Sequence, residues 1–251
     1  METQSVQSVA RALRIARFVA GAGEAGSRLS EIALGVGLHK ASASRLLQTL
    51  EQEGVVRRCV DRKFRLCDAF RREIGAPAST EHLRQVAAGG LAQIAARMGD
   101  ATFLSVRSGH DALCVDRQLG DFPIQALSLH VGARRPLGVG AGSLALLAWL
   151  PEEEREIIAA REDRLTSYPH ISEEIIRRAG AAARENGFTD LRDVVVPGMT
   201  GIGVPLRNGN GTVVAAISTA TTNERLAGAR RDAAIRLLIE VRDSIELSIG
   251  T

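Results

Sequence analysis

The stretch "GLHKASASRLLQTLEQEG", from Gly37 to Gly54, constrains the fold more than any other, because its two halves suit different surroundings. At 100° per residue Ala43, Leu46, Leu47 and Leu50 fall on one stripe, spaced i, i+3, i+4, i+7, as in a helix with one packed face. The opposite face shows Ala41, Arg45, Gln48 and Gln52, flanked by Ser42, Ser44 and Thr49. Nothing bulky stands at the leading end. A slim, donor-rich face of this kind suits entry into a groove about 12 Å wide.

The flanking sequence decides between that reading and an ordinary solvated helix. "RLSEIALGVG" predicts a short helix with Ser30 as N-cap and Ile32, Ala33 and Val36 facing inward. "GLHK" supplies the tight, Gly-containing connection between two helices. Upstream, "SVARALRIARFVA" predicts a third helix with Val9, Leu13, Ala16 and Val19 on its packed face. Downstream, "VVRRCVDRKFRLC" reads as two β-prone runs around a turn at Asp61-Arg62-Lys63. Three helices followed by a basic hairpin make a winged helix-turn-helix. Charge agrees: residues 1–75 hold 13 basic and 8 acidic side chains, the remainder 19 and 21. On this reading Lys40, Ala41, Ser42, Ser44, Arg45 and Gln48 form the groove-facing surface, Arg45 suited to guanine and Gln48 to adenine. Arg57, Arg58, Arg62 and Lys63 are expected to hold phosphates. The partner is then double-stranded operator DNA, read by a symmetric homo-oligomer.

At 251 residues the chain can build two cores. The expected organisation is a DNA-binding domain at 1–75, a linker and linker helix at 76–98, and a second domain at 99–251, with the break at Gly75, Ala76, Pro77 and Ser79. The longest apolar run, "SLALLAWL", is far short of a membrane span of about 20 residues. No signal peptide is legible at the N-terminus, so a cytoplasmic protein with no membrane partner is expected. Cys59, Cys67 and Cys114 lack metal-like spacing and read as reduced thiols, a redox sensor being the alternative.

Beyond the boundary, "EHLRQVAAGGLAQIAARMGD" has helical spacing interrupted by the weak point Gly89-Gly90. Strands are expected at "ATFLSVR", "ALCVDRQ" and "IQALSLHVG", then an apolar helix in "RRPLGVGAGSLALLAWL" and two polar helices, "PEEEREIIAAR" and "SEEIIRRAGAAARENG". Two strands joined by an Asn/Gly turn in "GIGVPLRNGNGTVVAAISTA" precede a long C-terminal helix from "ERLAGARRD" onward. A mixed sheet with helices on its faces makes this an α+β, sensor-like domain.

Catalytic signatures are missing. "GVGAGS", Gly138 to Ser143, has neither the Gly-Lys-Ser/Thr end of a P-loop nor GxGxxG spacing. It does open an apolar helix, whose free N–H groups favour a small anion, although a packing turn explains the glycines equally well. The five histidines are scattered, Ser143 and Ser218 lack a GxSxG setting, and Glu152-Glu153-Glu154 begins a helix where it complements the dipole. No cofactor and no metal are expected. A ligand-responsive DNA regulator, an enzyme carrying a winged helix and a ligand-free DNA-bridging protein remain the candidates.

The ordered set "SVARALRIARFVA", "LSEIALGVGLHKASASRLLQTLEQEGVVRR", "RPLGVGAGSLALLAWLPEEE", "ENGF" and "GIGVPLRNGNGTVVAAIST" resembles the IclR (isocitrate lyase regulator) family over nearly the whole chain. The resemblance implies a winged helix, a linker helix and a GAF-like effector domain, in a dimeric or tetrameric repressor or activator of catabolic genes. Laid on the family pattern, Gly140 and Ala141 fall at the anion-holding turn, Gly201 in the strand after "PGMT", and Ser218 and Ala220 in the final strand. Leu191 stands where some relatives are acidic, and with Leu129 it makes an apolar wall. A small organic acid with a hydrophobic or aromatic portion is the implied effector, and a repressor of a catabolic operon the implied role.

Overall fold

A computed structural model describes residues 7–73 and 80–249, which fall into two compact units. The predicted break at Gly75 to Ser79 lies outside the described residues.

The first unit is built from α1 (Gln7–Gly21), α2 (Leu29–Gly35), α3 (Lys40–Gln52), β1 (Val56–Arg58), β2 (Phe64–Leu66) and a short α4 (Asp68–Glu73). Ala43 and Leu47 of α3 are buried against Ile15, Val19, Ile32 and Val56, with Leu46 and Leu50 packed at the edge, as the stripe requires. Two local expectations are corrected. On α1 the packed face is Ile15, Phe18 and Val19, whereas Val9 and Leu13 are 55% and 51% exposed. Both stripes have helical spacing, and only the position of the neighbouring helices selects one. On α2, Ser30 lies inside the first turn. The cap comes from Glu31, whose carboxylate accepts the Arg28 N–H at 2.7 Å. The wing pairs β1 with β2 antiparallel, Val56 opposite Leu66 and Arg58 opposite Phe64.

The second unit centres on six strands: β3 (Ala101–Ser108), β4 (Asp111–Gln118), β5 (Arg134–Pro136), β6 (Thr189–Arg192), β7 (Met199–Arg207) and β8 (Val213–Thr222). They are ordered β5-β4-β3-β8-β7-β6, with every pair antiparallel, so the sheet is not mixed as expected. On one face lie α5 (Thr80–Met98) and α9 (Gly228–Ile249); on the other lies α6 (Ala141–Ala148), backed by α8 (Glu173–Asn186), which packs against α7 (Glu152–Ala159). The suspected weak point in α5 is a packing device. A Cβ on Gly90 would stand 2.5 Å from Val241 Cγ1 of α9, so the glycine lets the two helices touch. All eight residues of α6 are buried, which explains why Ser143 is its one polar side chain, with its hydroxyl bonded to the Pro136 carbonyl.

The expected strand at "IQALSLHVG" is a loop. The place beside β4 is taken by β5, with Asp111 opposite Pro136, and the loop is tied down by side chains instead. Gln125 donates to the carbonyls of Gly99 and Phe122, Arg117 to that of Leu129 at 3.2 Å, and Arg135 to that of Ser128 at 2.8 Å. Arg225 stacks 3.7 Å over the Phe122 ring while pairing with the buried Asp100 at 2.7 Å, which anchors the loop's start beside the end of α5. Ile124, Leu127 and Val131 stay exposed and Ala126 is buried, so the alternation that suggested a strand belongs to a loop with one side turned down. Strands β5 and β6 were not foreseen.

Candidate functional site

In the first unit, Lys40, Ala41, Ser44, Arg45 and Gln48 are exposed on α3 and Ser42 is half-buried. His39 caps that helix through its ring, so the leading turn is held without a bulky side chain, and further along Thr49 bonds back to the Arg45 carbonyl. Among the described residues the side chains of Lys40, Arg45, Gln48 and Arg62 carry no hydrogen bond or ion pair. They are unencumbered. The other basic residues of the wing are partly engaged. Arg57 stands 3.9 Å from Asp68, Arg58 lies over the Phe64 ring, and Lys63 Nζ donates to the Ala25 carbonyl at 2.9 Å. Arg65 grips Asp61 with both nitrogens, at 3.1 and 2.7 Å, which holds the Asp61 carboxyl down at about 2. That clamp and the Lys63 N–H to Asp61 bond shape the turn that projects Arg62 at its tip with φ near +60°. Helix α3 and the wing therefore both expose cations, beside the carboxylates of Glu51, Asp61 and Asp68.

In the second unit α6 begins directly on the sheet. A Cβ on Gly203 would stand 2.8 Å from the Ala141 carbonyl, and one on Gly201 3.2 Å from the Ala141 methyl, so these two glycines admit the helix start. Thr189 Oγ1 then donates to the carbonyls of Ala141 (2.9 Å) and Gly203 (3.2 Å), and Ser143 Oγ to that of Pro136 (2.9 Å). These bonds pin the first turn of α6 over a concave, mostly apolar cavity open to solvent. Leu129, Gly140, Ala141, Leu191, Gly201, Ser218 and Ala220, all seven expected positions, line it. The sheet register explains the grouping: Gly201 pairs with Ala220 and with Leu191, and Ser218 with Phe103, so one face of four adjacent strands forms the floor.

Residues that sequence reasoning missed complete the walls: Phe103 and Ser105 from β3, Arg135 from β5, and Val195, Val196 and Met199 before and on β7. Arg134 and Arg135 show how β5 sorts its side chains. Arg134 turns to Ser108 and Asp111, whereas Arg135 turns inward and bonds the Ser128 carbonyl and hydroxyl, at 2.8 and 3.1 Å. Burial pulls the Arg135 guanidinium down from its ordinary value, yet an arginine so placed remains a cation at neutral pH. Among the described residues the cavity lining contains no His, Asp, Glu, Lys, Cys or Tyr side chain.

The three cysteines are free, and burial pushes the Cys114 thiol up to about 11, far from the reactive thiolate range. Among the described residues no group of His, Cys, Asp or Glu is arranged to hold a metal, and no helix is long and apolar enough to cross a membrane.

Residues 8–58 match the IclR helix-turn-helix domain, and residues 76–247 match the bacterial transcriptional regulator IclR C-terminal domain. The chain belongs to the IclR family. It is 28% identical to the HTH-type transcriptional regulator XynR of Escherichia coli over 225 residues, 88% of each chain. It is 25% identical to the transcriptional repressor IclR of the same organism, over 74% of this chain and 69% of the relative. Among solved structures, the Thermotoga maritima IclR superposes with a TM-score of 0.63 at 20% identity, over 98% of this chain and 100% of that one. An IclR homologue from Microbacterium hydrocarbonoxydans, solved with 4-hydroxybenzoate, superposes with a TM-score of 0.59 at 24% identity, over 96% of this chain and 98% of that one. This IclR-family chain is thus a transcription regulator with a DNA-binding domain and an effector domain, and the family is not one of enzymes.

Proposed function

We propose that the chain represses a catabolic operon from the cytoplasm, binding a palindromic operator as a homodimer or pair of dimers, and that a small organic acid in the α6 cavity changes that binding. The observation that carries the reading is the cavity itself. Helix-terminal amides, hydroxyls and one cation gather at its α6 end, and apolar side chains form the rest. Helix amides and a cation favour a carboxylate, while Leu129, Leu191 and Val195 favour an apolar body. The M. hydrocarbonoxydans protein of the same fold holds an acid of this kind, 4-hydroxybenzoate. A cavity without a His, Asp, Glu, Lys, Cys or Tyr has no group suited to general acid–base work, which speaks against the enzyme alternative.

On the DNA side, Arg45 and Gln48 read bases from α3, with Lys40, Ala41, Ser42 and Ser44 lining the groove wall. Arg57, Arg58, Arg62 and Lys63 position the wing on phosphates, Arg62 most freely and Lys63 least, given its bond to Ala25. Exposed Val9 and Leu13 on α1 supply an apolar surface for a second copy. The domains are assigned to 1–75, a linker with its helix at 76–98, and 99–251. Selection of duplexes from a random pool tests the reading: the full chain should enrich an inverted repeat and, in the presence of aromatic and aliphatic monocarboxylates, show altered affinity for it. Binding without sequence preference would leave only the DNA-bridging alternative.

A further inference from the structure

We infer that Arg135 is the counter-ion of the effector, and that the effector is an aromatic monocarboxylate seated carboxylate-first against Gly140–Gly142. The inference rests on the reading of the α6 cavity as an effector site, and it names the ligand class and the residue that selects it.

The first ground is a cation without an anion. Among the described residues, Arg135 donates only to the carbonyl and hydroxyl of Ser128 and forms no ion pair. Half-buried charges are ordinarily matched, because desolvation without a partner is costly. Among the described residues no carboxylate lines the cavity, so an anion that enters it finds this cation unmatched. The second ground is position. Nη1 of Arg135 lies 3.4 Å from where a Cβ on Gly140 would stand, at the N-cap of α6. The N–H groups of Ala141, Gly142 and Ser143 that follow have no acceptor within the helix, since its first bond runs from Leu144 to Gly140. The third ground is independent of both. Ser105 and Ser218 are 3% and 6% exposed, and among the described residues neither hydroxyl has a hydrogen-bond partner, yet both line the cavity. They sit 3.6 and 2.9 Å from where a Cβ on Gly142 would be, at the same end as Arg135. Both side chains open onto the cavity, so their hydroxyls can turn to the place where carboxylate oxygens would stand.

The polar groups thus converge on one end. A single cation with no second one opposite favours a monoanion over a dicarboxylate. The remaining lining is apolar, from Phe103, Leu129, Leu191, Val195, Val196 and Met199. Between these walls the floor is stripped to Gly201 and Ala220, a smooth strip on which a planar ring lies flat, with Phe103 and the Met199 thioether as ring-favouring neighbours.

Calorimetric titration of the full chain with benzoate, its neutral isostere benzamide, cyclohexanecarboxylate and terephthalate tests this. Benzoate should bind at least tenfold more tightly than each of the other three. Arg135→Gln should weaken benzoate about 10- to 100-fold and abolish the preference over benzamide, the loss expected for charge-assisted bonds. Arg135→Lys should recover part of it, and because Arg135 also holds Ser128, the benzoate-to-benzamide ratio, which a loosened loop alone would not move, is the readout that decides. Parental benzoate affinity in Arg135→Gln would overturn the assignment. Failure of benzoate to bind the parent would overturn the ligand class. The effector reading itself fails only if no acid of any class alters operator binding, a separate measurement on the same protein.

Discussion

Gly142→Ala separates packing from ligand recognition, because its effects on stability nearly cancel while its effects on binding do not. Gly142 is the second residue of α6, with ordinary helical backbone, so alanine there gains up to about 1 kcal/mol of helix propensity. The new methyl would meet Ser218 Oγ at 2.9 Å, Ser218 Cβ at 3.4 Å and Ser105 Oγ at 3.6 Å. Only the first contact is too close, and it involves a hydroxyl that can rotate away at a cost of about 0.5–1.5 kcal/mol. The net change in stability should therefore lie within about 1 kcal/mol of zero, a shift of roughly 2–4 °C at most for a domain of this size. Binding is a different matter. The methyl fills the corner between the two free hydroxyls, so a carboxylate there loses at least one hydrogen bond of about 1 kcal/mol and meets overpacking of about 1–3 kcal/mol. Benzoate affinity should fall at least tenfold, measured by titration beside thermal unfolding of the same protein. Adding Ser218→Ala should raise the melting temperature of the variant by relieving the contact, without restoring affinity. A Gly142→Ala protein that melts and binds like the parent would refute the placement of the carboxylate at the α6 start.

On the DNA side, Arg45→Ala should cost about 1–3 kcal/mol, concentrated at one base position, as read from binding to a set of single-substituted operators. Arg62→Ala should weaken all duplexes alike and lower the slope of log affinity against log salt by about 1, whereas Lys63→Ala should lower it less because that ammonium is held by the Ala25 carbonyl. Leu13→Asp should shift the sedimentation of the full chain toward a smaller species with no loss of helix content, since the side chain is exposed in the single copy; an unchanged assembly would remove α1 from the interface.

The recognition helix, the wing and the start of α6 were legible because each depends on local pattern: the Ala43–Leu47 stripe, the turn around Asp61, the glycines before a wholly apolar run. The seven expected cavity residues converge, though from a family pattern rather than from chemistry. What stayed hidden depends on register and tertiary placement. "ARRPLG" gives no sign that Arg135 faces in and Arg134 out until β5 is paired beside β4. In "ATFLSVRS" the first six residues are all buried, so no alternation singles out Phe103 and Ser105 as cavity-facing. On α1 two apolar stripes compete: Val19 was legible as packed, but only the position of α2 and α3 puts Ile15 beside it in place of Val9 and Leu13. A loop fixed by Gln125, Arg117 and Arg135 side chains, with apolar residues on both of its sides, imitates a strand in any pattern-based reading.

The coupling of the cavity to DNA binding is tested most directly by fluorescence anisotropy on a selected operator, titrated with the parent chain and with Ala141→Trp, each with and without saturating benzoate. Ala141 lines the cavity at the first position of α6, so the indole fills the ligand's place. The account predicts that benzoate changes operator affinity of the parent at least fivefold, and that the variant binds the operator as tightly as ligand-free or ligand-bound parent and ignores benzoate. A variant that responds to benzoate as the parent does would contradict it.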